Sequence, residues 1–280
     1  MRKKILTALL ILTLIGLTGC IEQQKPDTSE DVINKSKAAL DDVKSFSYEG
    51  RVLVDNKSYS PSESADADLF SSLKGDVNHT SGRLHRFIND SGNLSTPGIN
   101  NKKMLQDTYL VNDTYYYRLI NSEENRWIKR ELPGMRAREM RKSRIQILED
   151  VYSISNVSLN GEDSISGKDV YRIDMEPKIR ELERVSDSVI GPFQLIISAG
   201  SPLKSAKYSY WVDQDNYQPV KLRSEISAIS KYSTDNGDKR QSKIFATEIL
   251  NFSGVNEPTN IKIPRDARNA GSIENSSTGG

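Results

Sequence analysis

From Lys207 to Asn251 the chain alternates apolar and polar residues with a period of two in three runs, Lys207–Asp213, Val220–Tyr232 and Arg240–Asn251. Successive side chains of a strand point to opposite faces, so these runs predict strands with one covered and one wet face. Gln214 to Pro219 separates the first two, and Asp235-Asn236-Gly237-Asp238 separates the last two. Asn-Gly tolerates positive φ and suits a tight hairpin. The three runs therefore form an antiparallel meander. The same period occurs near the start, where Phe46, Tyr48, Val52 and Val54 alternate with Ser47, Glu49, Arg51 and Leu53, and it continues at Leu69–Leu73 and Leu84–Ile88. A long antiparallel sheet is the frame that the rest of the chain must fit.

Helices interrupt it. Thr28 or Ser29 can cap a helix that ends near Lys44, with Val32, Ile33, Leu40 and Val43 on one side. Pro133-Gly134 opens a predicted helix through Asp150, with Met135, Ile145, Leu148 and Val151 as its apolar side, and a third is predicted over Pro177–Ile190. Strands are predicted at Thr108–Arg118, Arg126–Lys129, Ser153–Leu159 and Lys168–Met175, with a last edge strand at Asn260–Ile263 closed by Pro264. Asp90–Lys103 is rich in Gly, Ser, Asn and Pro and reads as a loop; the chain from 267 to 280 reads as a disordered tail. No repeat or linker divides residues 28–266, so the expectation is a single α+β domain.

The first twenty residues read as an address. Arg2, Lys3 and Lys4 precede an apolar run from Ile5 to Leu17, and Leu17-Thr18-Gly19-Cys20 closes it. As a helix such a run spans about 20 Å, short of the ~30 Å hydrocarbon core, which marks a signal peptide (1–19) and not a stable transmembrane helix. The ending resembles the lipobox of prokaryotic lipoproteins, in which the Cys receives a diacylglyceryl group and becomes the first residue. Two acyl chains suffice for stable attachment where one is marginal. Residues 20–27 then form a short lipidated tether, and the expected location is the extracytoplasmic face of the cell membrane. Loss of residues 1–19 takes three positive charges and no negative one, so a net charge of +1 becomes −2.

Asn-x-Ser/Thr acceptor sites occur at Asn34, Asn56, Asn78, Asn89, Asn93, Asn112, Asn156, Asn251 and Asn275, so 9 of the 19 Asn residues begin one. Given the Ser and Thr content, chance would supply about three. Glycosylation outside the cell is one reading, a Ser-rich chain with chance spacing the other. A lipobox with dense acceptor sites fits an archaeal surface lipoprotein better than a typical bacterial one.

Composition removes other classes. One Cys and two His among 280 residues exclude an internal disulfide and a four-ligand zinc site of the usual kind. The near-neutral charge lacks the basic excess of a generic nucleic-acid binder. No Gly-x-Ser-x-Gly or phosphate-binding Gly loop occurs. Asp213-Gln214-Asp215-Asn216 lacks the Gly and distal Glu of a calcium loop and reads as a hairpin turn. No enzyme, catalytic residue, metal or cofactor is expected.

Several stretches resemble the LolA/LolB-like (LppX/LprG-type) lipoprotein superfamily. They are the opening helix running into "LDDVKSFSYEG", "TYLVNDTYYYR" followed by "RWIKRE", "GKDVYRIDM", "YSYWVDQDNYQPVKLRSEI", and the closing "NEPTNIKIPRDA". Their order covers most of residues 28–266. The resemblance implies a strongly curved antiparallel sheet, a half-open β-barrel closed on one side by helices, with an apolar cavity that holds acyl chains. Residues expected to line that cavity are Val52, Val54, Leu69, Leu84, Ile88, Tyr115, Tyr117, Ile173 and Trp211; the same residues could instead fill an ordinary core. Residues 126–144 hold eight basic and two acidic side chains. Within them Arg136, Arg138, Arg141, Lys142 and Arg144 are candidates for contact with anionic headgroups, or else a solvated face paired with acidic neighbours such as Glu181 and Glu183. Two functions follow as expectations. One is a membrane-anchored lipoprotein that binds or transfers a lipid or other hydrophobic ligand. The other is a non-catalytic surface protein with a packed half-barrel that binds envelope polymer or a partner protein.

Overall fold

The computed structural model describes residues 27–59, 64–94, 104–120, 125–132, 142–189, 202–233 and 239–272. The signal segment, Cys20 and the tether up to Pro26 lie outside them, as do Arg136, Arg138, Arg141, Phe193–Ile197 and Asn275.

Helix α1 (Ser29–Asp41) starts at Thr28, whose hydroxyl accepts from the Asp31 amide while the Asp31 carboxylate accepts from the Thr28 amide. This reciprocal cap satisfies two donors that a helix start leaves open. Eleven strands follow among the described residues: β1 (Ser45–Tyr59), β2 (Ser64–Asn78), β3 (Arg83–Leu94), β4 (Met104–Val111), β5 (Thr114–Leu119), β6 (Ile128–Glu131), β7 (Ser155–Ile165), β8 (Lys168–Pro177), β9 (Leu203–Asp213), β10 (Pro219–Ser233) and β11 (Lys239–Ser253). Helix α2 (Arg144–Ser153) lies between β6 and β7, α3 (Ile179–Val189) between β8 and β9, and a one-turn α4 (Arg265–Arg268) comes last. Ser143 and Gln146 cap α2 in the same reciprocal way as α1.

All the strands join one antiparallel sheet in the order β6-β5-β4-β3-β2-β1-β11-β10-β9-β8-β7. Antiparallel pairing and the N-terminal helix agree with the sequence reading. The strong curvature does not. The sheet is neither closed nor strongly curled: its edges, β6 and β7, are not neighbours. The reason is visible in the register. β1 pairs with β2 and β11, and β11 with β10, over thirteen to fifteen residues without a shift. Among the described residues, bulges, which bend strands and raise their twist, occur only between β9 and β10 and between β7 and β8.

Three local expectations also change. The single strand over Thr108–Arg118 is the hairpin β4–β5, turned at Asn112, which takes φ 53°. The loop expected from Asp90 begins later, because β3 runs to Leu94. Asn260–Ile263 is not a strand; side chains hold it instead, with Asn78 Nδ2 donating to the Thr259 carbonyl at 3.1 Å and Arg83 Nη1 to the Ile261 carbonyl at 3.0 Å. Pro258 and Pro264 flank it and deny a ladder two donors. The folded chain also passes residue 266: Ala267 is fully buried beside Tyr116 and Trp127, and Ser272 bridges to Lys129.

Alternation gives the sheet two unlike faces. Helices α1, α2 and α3 cover one, and there Phe46, Tyr48 and Val52 of β1 meet Leu148 and Val151 of α2, Leu182 of α3 and Leu40 of α1 in one core. Ile173, Tyr210 and Leu250 belong to it as well. The other face carries no helix among these three.

Candidate functional site

The expected cavity residues divide between the faces. Register partners share a face, and Val54 opposes Leu69, Leu84 opposes Leu110, Leu110 opposes Tyr115, and Thr108 opposes Tyr117. Leu73 opposes Ile88, and Gly50, Leu250, Leu222, Tyr210 and Ile173 follow one another across the sheet. Val52, Val54, Leu69, Leu84, Ile88, Tyr115, Tyr117 and Ile173 therefore all lie on the covered face. Val52, Leu84 and Ile173 are buried in its core, and Val54 and Tyr115 pack against it. Trp211 lies on the opposite face, where Arg172 and Lys221 are its register partners and stand over its ring at 5.5 and 5.0 Å.

The covered face is packed where α2 meets it. A void of about 10 Å³ is lined there by Arg144, Leu148, Tyr208, Ser224 and Glu248, room for no more than one water. Within it Arg144 Nη2 stands 3.0 Å from Glu248 Oε1, their side chains 11% and 3% exposed. The approach is off the line of a hydrogen bond, so Oε1 remains without a directed donor. Burial pushes the Glu248 carboxyl up, and Arg144 and Arg86 pull the other way without cancelling it. Of the basic segment, then, Arg144 is neutralised inside the core, and Lys142 pairs with Asp150 at 2.8 Å. Neither uses the acidic neighbours named from the sequence.

Among the described residues, recesses large enough for a ligand lie on the uncovered face. One of about 710 Å³ is lined by Arg51, Phe70, Ser72, Lys74, Phe87, Lys221 and Ile249 among others. A second, of about 500 Å³, is lined by Leu53, Asp55, Asp68, Phe70 and Ser91 with Val54 and Leu69. Phe70 belongs to both, so they adjoin. Ligand pockets ordinarily measure about 300–1,000 Å³. Among the described residues, Leu53, Phe70 and Phe245 are the large apolar side chains most open to solvent, at 41%, 41% and 51%. All three fall on this face: Leu53 opposes Phe70, and Phe245 opposes Asp55, two residues further along β1. The signal for them was in the alternation itself, since Leu53 is an apolar residue at a polar position.

Nearer the start of β1 the same face carries a polar cluster. His85 Nε2 stands 3.0 Å from Asp107 Oδ1 and Nδ1 3.4 Å from Asp76 Oδ2, with the ring stacked on Tyr109 at 4.3 Å. Burial alone would lower the His85 pKa, but the two carboxylates outweigh it and hold it above its ordinary value. Arg118 reaches Asp107 at 3.6 Å and lies over Trp127. The Asp213–Asn216 stretch is the β9–β10 turn, closed by the Asp215 amide donating to Asp213 Oδ1 at 2.9 Å. Among the acceptor sites, Asn34, Asn112, Asn156 and Asn251 are exposed. Asn56, Asn78 and Asn89 are half-buried, with the Asn89 carbonyl unpartnered, and the Asn93 side chain lies outside the described residues.

Solved structures similar to this chain share little sequence with it. Similar solved structures include the Mycobacterium tuberculosis lipoprotein LppX, 17% identical over 82% of this chain and 96% of that one with a TM-score of 0.40. LprF from Mycobacterium bovis is 15% identical over 83% and 95%, with a TM-score of 0.44. An outer membrane lipoprotein-sorting protein domain from Vibrio parahaemolyticus is 13% identical over 86% and 97%, with a TM-score of 0.25. No family model matches the chain, and no curated protein sequence matches it.

Proposed function

We propose that this is a lipid-anchored, non-catalytic binding protein of the extracytoplasmic membrane face, and that it takes a hydrophobic ligand on the uncovered face of its sheet. The observation that carries this reading is the placement of Leu53 and Phe70, large and open to water, along two adjoining recesses of about 710 and 500 Å³, with Phe245 exposed on the same face beside Asp55. Apolar surface exposed in a contiguous patch gains about 25 cal/mol per Å² when a ligand covers it. The space beside α2, by contrast, is already filled by side chains.

The anchor is argued from the sequence. Cys20 is the single cysteine of the chain and stands where a lipobox needs it. The domain begins close behind: Asp27 is fixed by Lys35 Nζ at 2.6 Å and by the Tyr217 hydroxyl. Six residues lie between Cys20 and Asp27; seven steps of about 3.3 Å let the domain stand roughly 23 Å from the bilayer at most.

The test is extraction. The lipoprotein is produced in a bacterial host, purified from its membranes, extracted with organic solvent and examined by mass spectrometry beside the triple variant Leu53→Ser/Phe70→Ser/Phe245→Ser. A hydrophobic molecule retained by the wild type and lost from the variant is the expected result. Equal recovery from both, or none from either, overturns the reading.

A further inference from the structure

The two recesses are unlike in charge, and this deepens the reading above, on which it rests. Across the uncovered face one row of register partners runs Lys221, Asn251, Glu49, Lys74, and the next holds Ile249, Arg51 and Ser72. Arg51, Lys74 and Lys221 all line the larger recess, with Glu49 the single carboxylate among its lining residues. None of the three cations stands within 4 Å of a carboxylate among the described residues. Lys74 and Lys221 instead lie over the rings of Phe87 and Trp211, at 5.4 and 5.0 Å. Their neighbours differ: Arg223 is paired with Glu225 at 2.7 Å and Lys207 with Asp174 at 3.5 Å.

Two residues along β1 from Arg51, a step of about 7 Å, the face turns apolar at Leu53 and Phe70. Beyond them Asp55 and Asp68 oppose one another next to Phe245, with Lys57 Nζ 3.3 Å from Asp55. The order along the strand is thus cationic, apolar, ion-paired.

We propose that this surface binds a long-chain fatty acid, with the carboxylate between Arg51 and Lys74 on adjacent strands, Lys221 adding positive charge two strands from Arg51, and the acyl chain laid over Phe70 and Leu53 toward Phe245. Arg51 and Lys74, with no carboxylate within 4 Å among the described residues, give an anionic head a site where charge neutralisation is still unmet. At the other end Lys57 already partners Asp55 at 3.3 Å and Asp68 lies opposite, so the unmet positive charge is at the Arg51 end and the ligand has one orientation. The apolar middle excludes a purely polar acid, which would leave Leu53 and Phe70 uncovered.

The experiment uses the full-length lipoprotein in membranes, a fatty acid carrying a diazirine in its chain, and the methyl ester of the same molecule. After irradiation, labelled peptides are mapped by mass spectrometry. The acid is expected to label the segments holding Leu53 and Phe70 at least tenfold more than the ester does. Arg51→Gln/Lys74→Gln/Lys221→Gln is expected to remove that difference while leaving the ester's labelling unchanged. Equal labelling by acid and ester at these segments overturns the fatty acid as ligand and leaves a hydrophobic site on this face standing. Labelling that avoids these segments with both probes overturns the two proposals together.

Discussion

Leu53 stands directly opposite Phe70 across β1 and β2, and both face away from the helices, each 41% exposed. A directly opposed apolar pair on the wet side of a sheet contributes little to folding that its neighbours on the covered side do not already supply. Its cost is exposure, and a ligand would remove that cost.

Replacing either residue should therefore separate binding from stability. Phe70→Ser is expected to shift unfolding by no more than about 1 kcal/mol, as for other surface positions, while abolishing uptake of a hydrophobic probe. Ile173→Ala, fully buried on the covered face, is expected to cost about 2–5 kcal/mol. Urea titrations of the two variants beside a probe titration give both readings.

The buried Arg144–Glu248 pair predicts an asymmetric double-mutant cycle. Arg144→Met leaves a buried carboxylate without its counter-charge and should cost about 3–5 kcal/mol. Adding Glu248→Leu to the same chain should recover most of that loss, since an apolar pair needs no compensation. Equilibrium unfolding of the two single variants and the double variant checks this.

Glu149 on α2 should make stability fall as pH rises. Burial first, and then the charges of Asp41 and Asp150, push its carboxyl from 4.5 up to about 7. The folded protein thus holds this proton more tightly than the unfolded chain does. Stability associated with it is present below about pH 4.5 and is lost progressively up to about pH 7. Glu149→Gln should melt higher than the wild type at pH 8, with the gap closing toward pH 4.5. Thermal melts across that range report the sign.

Gly75 is the register partner of Tyr48, and it leaves room for that ring. A Cβ there would come within 2.5 Å of the His85 carbonyl oxygen and 2.7 Å of the Tyr48 ring. Gly75→Ala is expected to cost about 1–3 kcal/mol through overpacking, although Ala suits a strand better than Gly elsewhere. Denaturant unfolding of the variant measures it.

The strands were legible wherever burial on one face imposed the period of two, as in β1, β10 and β11. Two failures share a cause. The turn at Asn112 and the unpaired run at Asn260–Ile263 depend on backbone donors and on φ, to which an apolar–polar pattern is blind. The pattern also assigns residues to faces without saying which face a helix will cover, so Trp211 was grouped with Ile173 although it lies on the other side. Arg144 reads as one more charge in a basic run. Only the fold brings Glu248, a hundred residues later, against it. Leu53 was the missed clue: a residue that breaks the alternation it sits in is either a defect or a site.

The central claim concerns which face meets the ligand, and methyl NMR reads that directly. In the protein secreted without its anchor, Leu53 and Ile249 report the uncovered face, while Leu148 and Ile173 report the core against the helices. Titration with palmitic acid is expected to shift the Leu53 and Ile249 methyl resonances and to leave Leu148 and Ile173 in place. Shifts at Leu148 and Ile173 with Leu53 unmoved would contradict the account, and would put the ligand between helices and sheet.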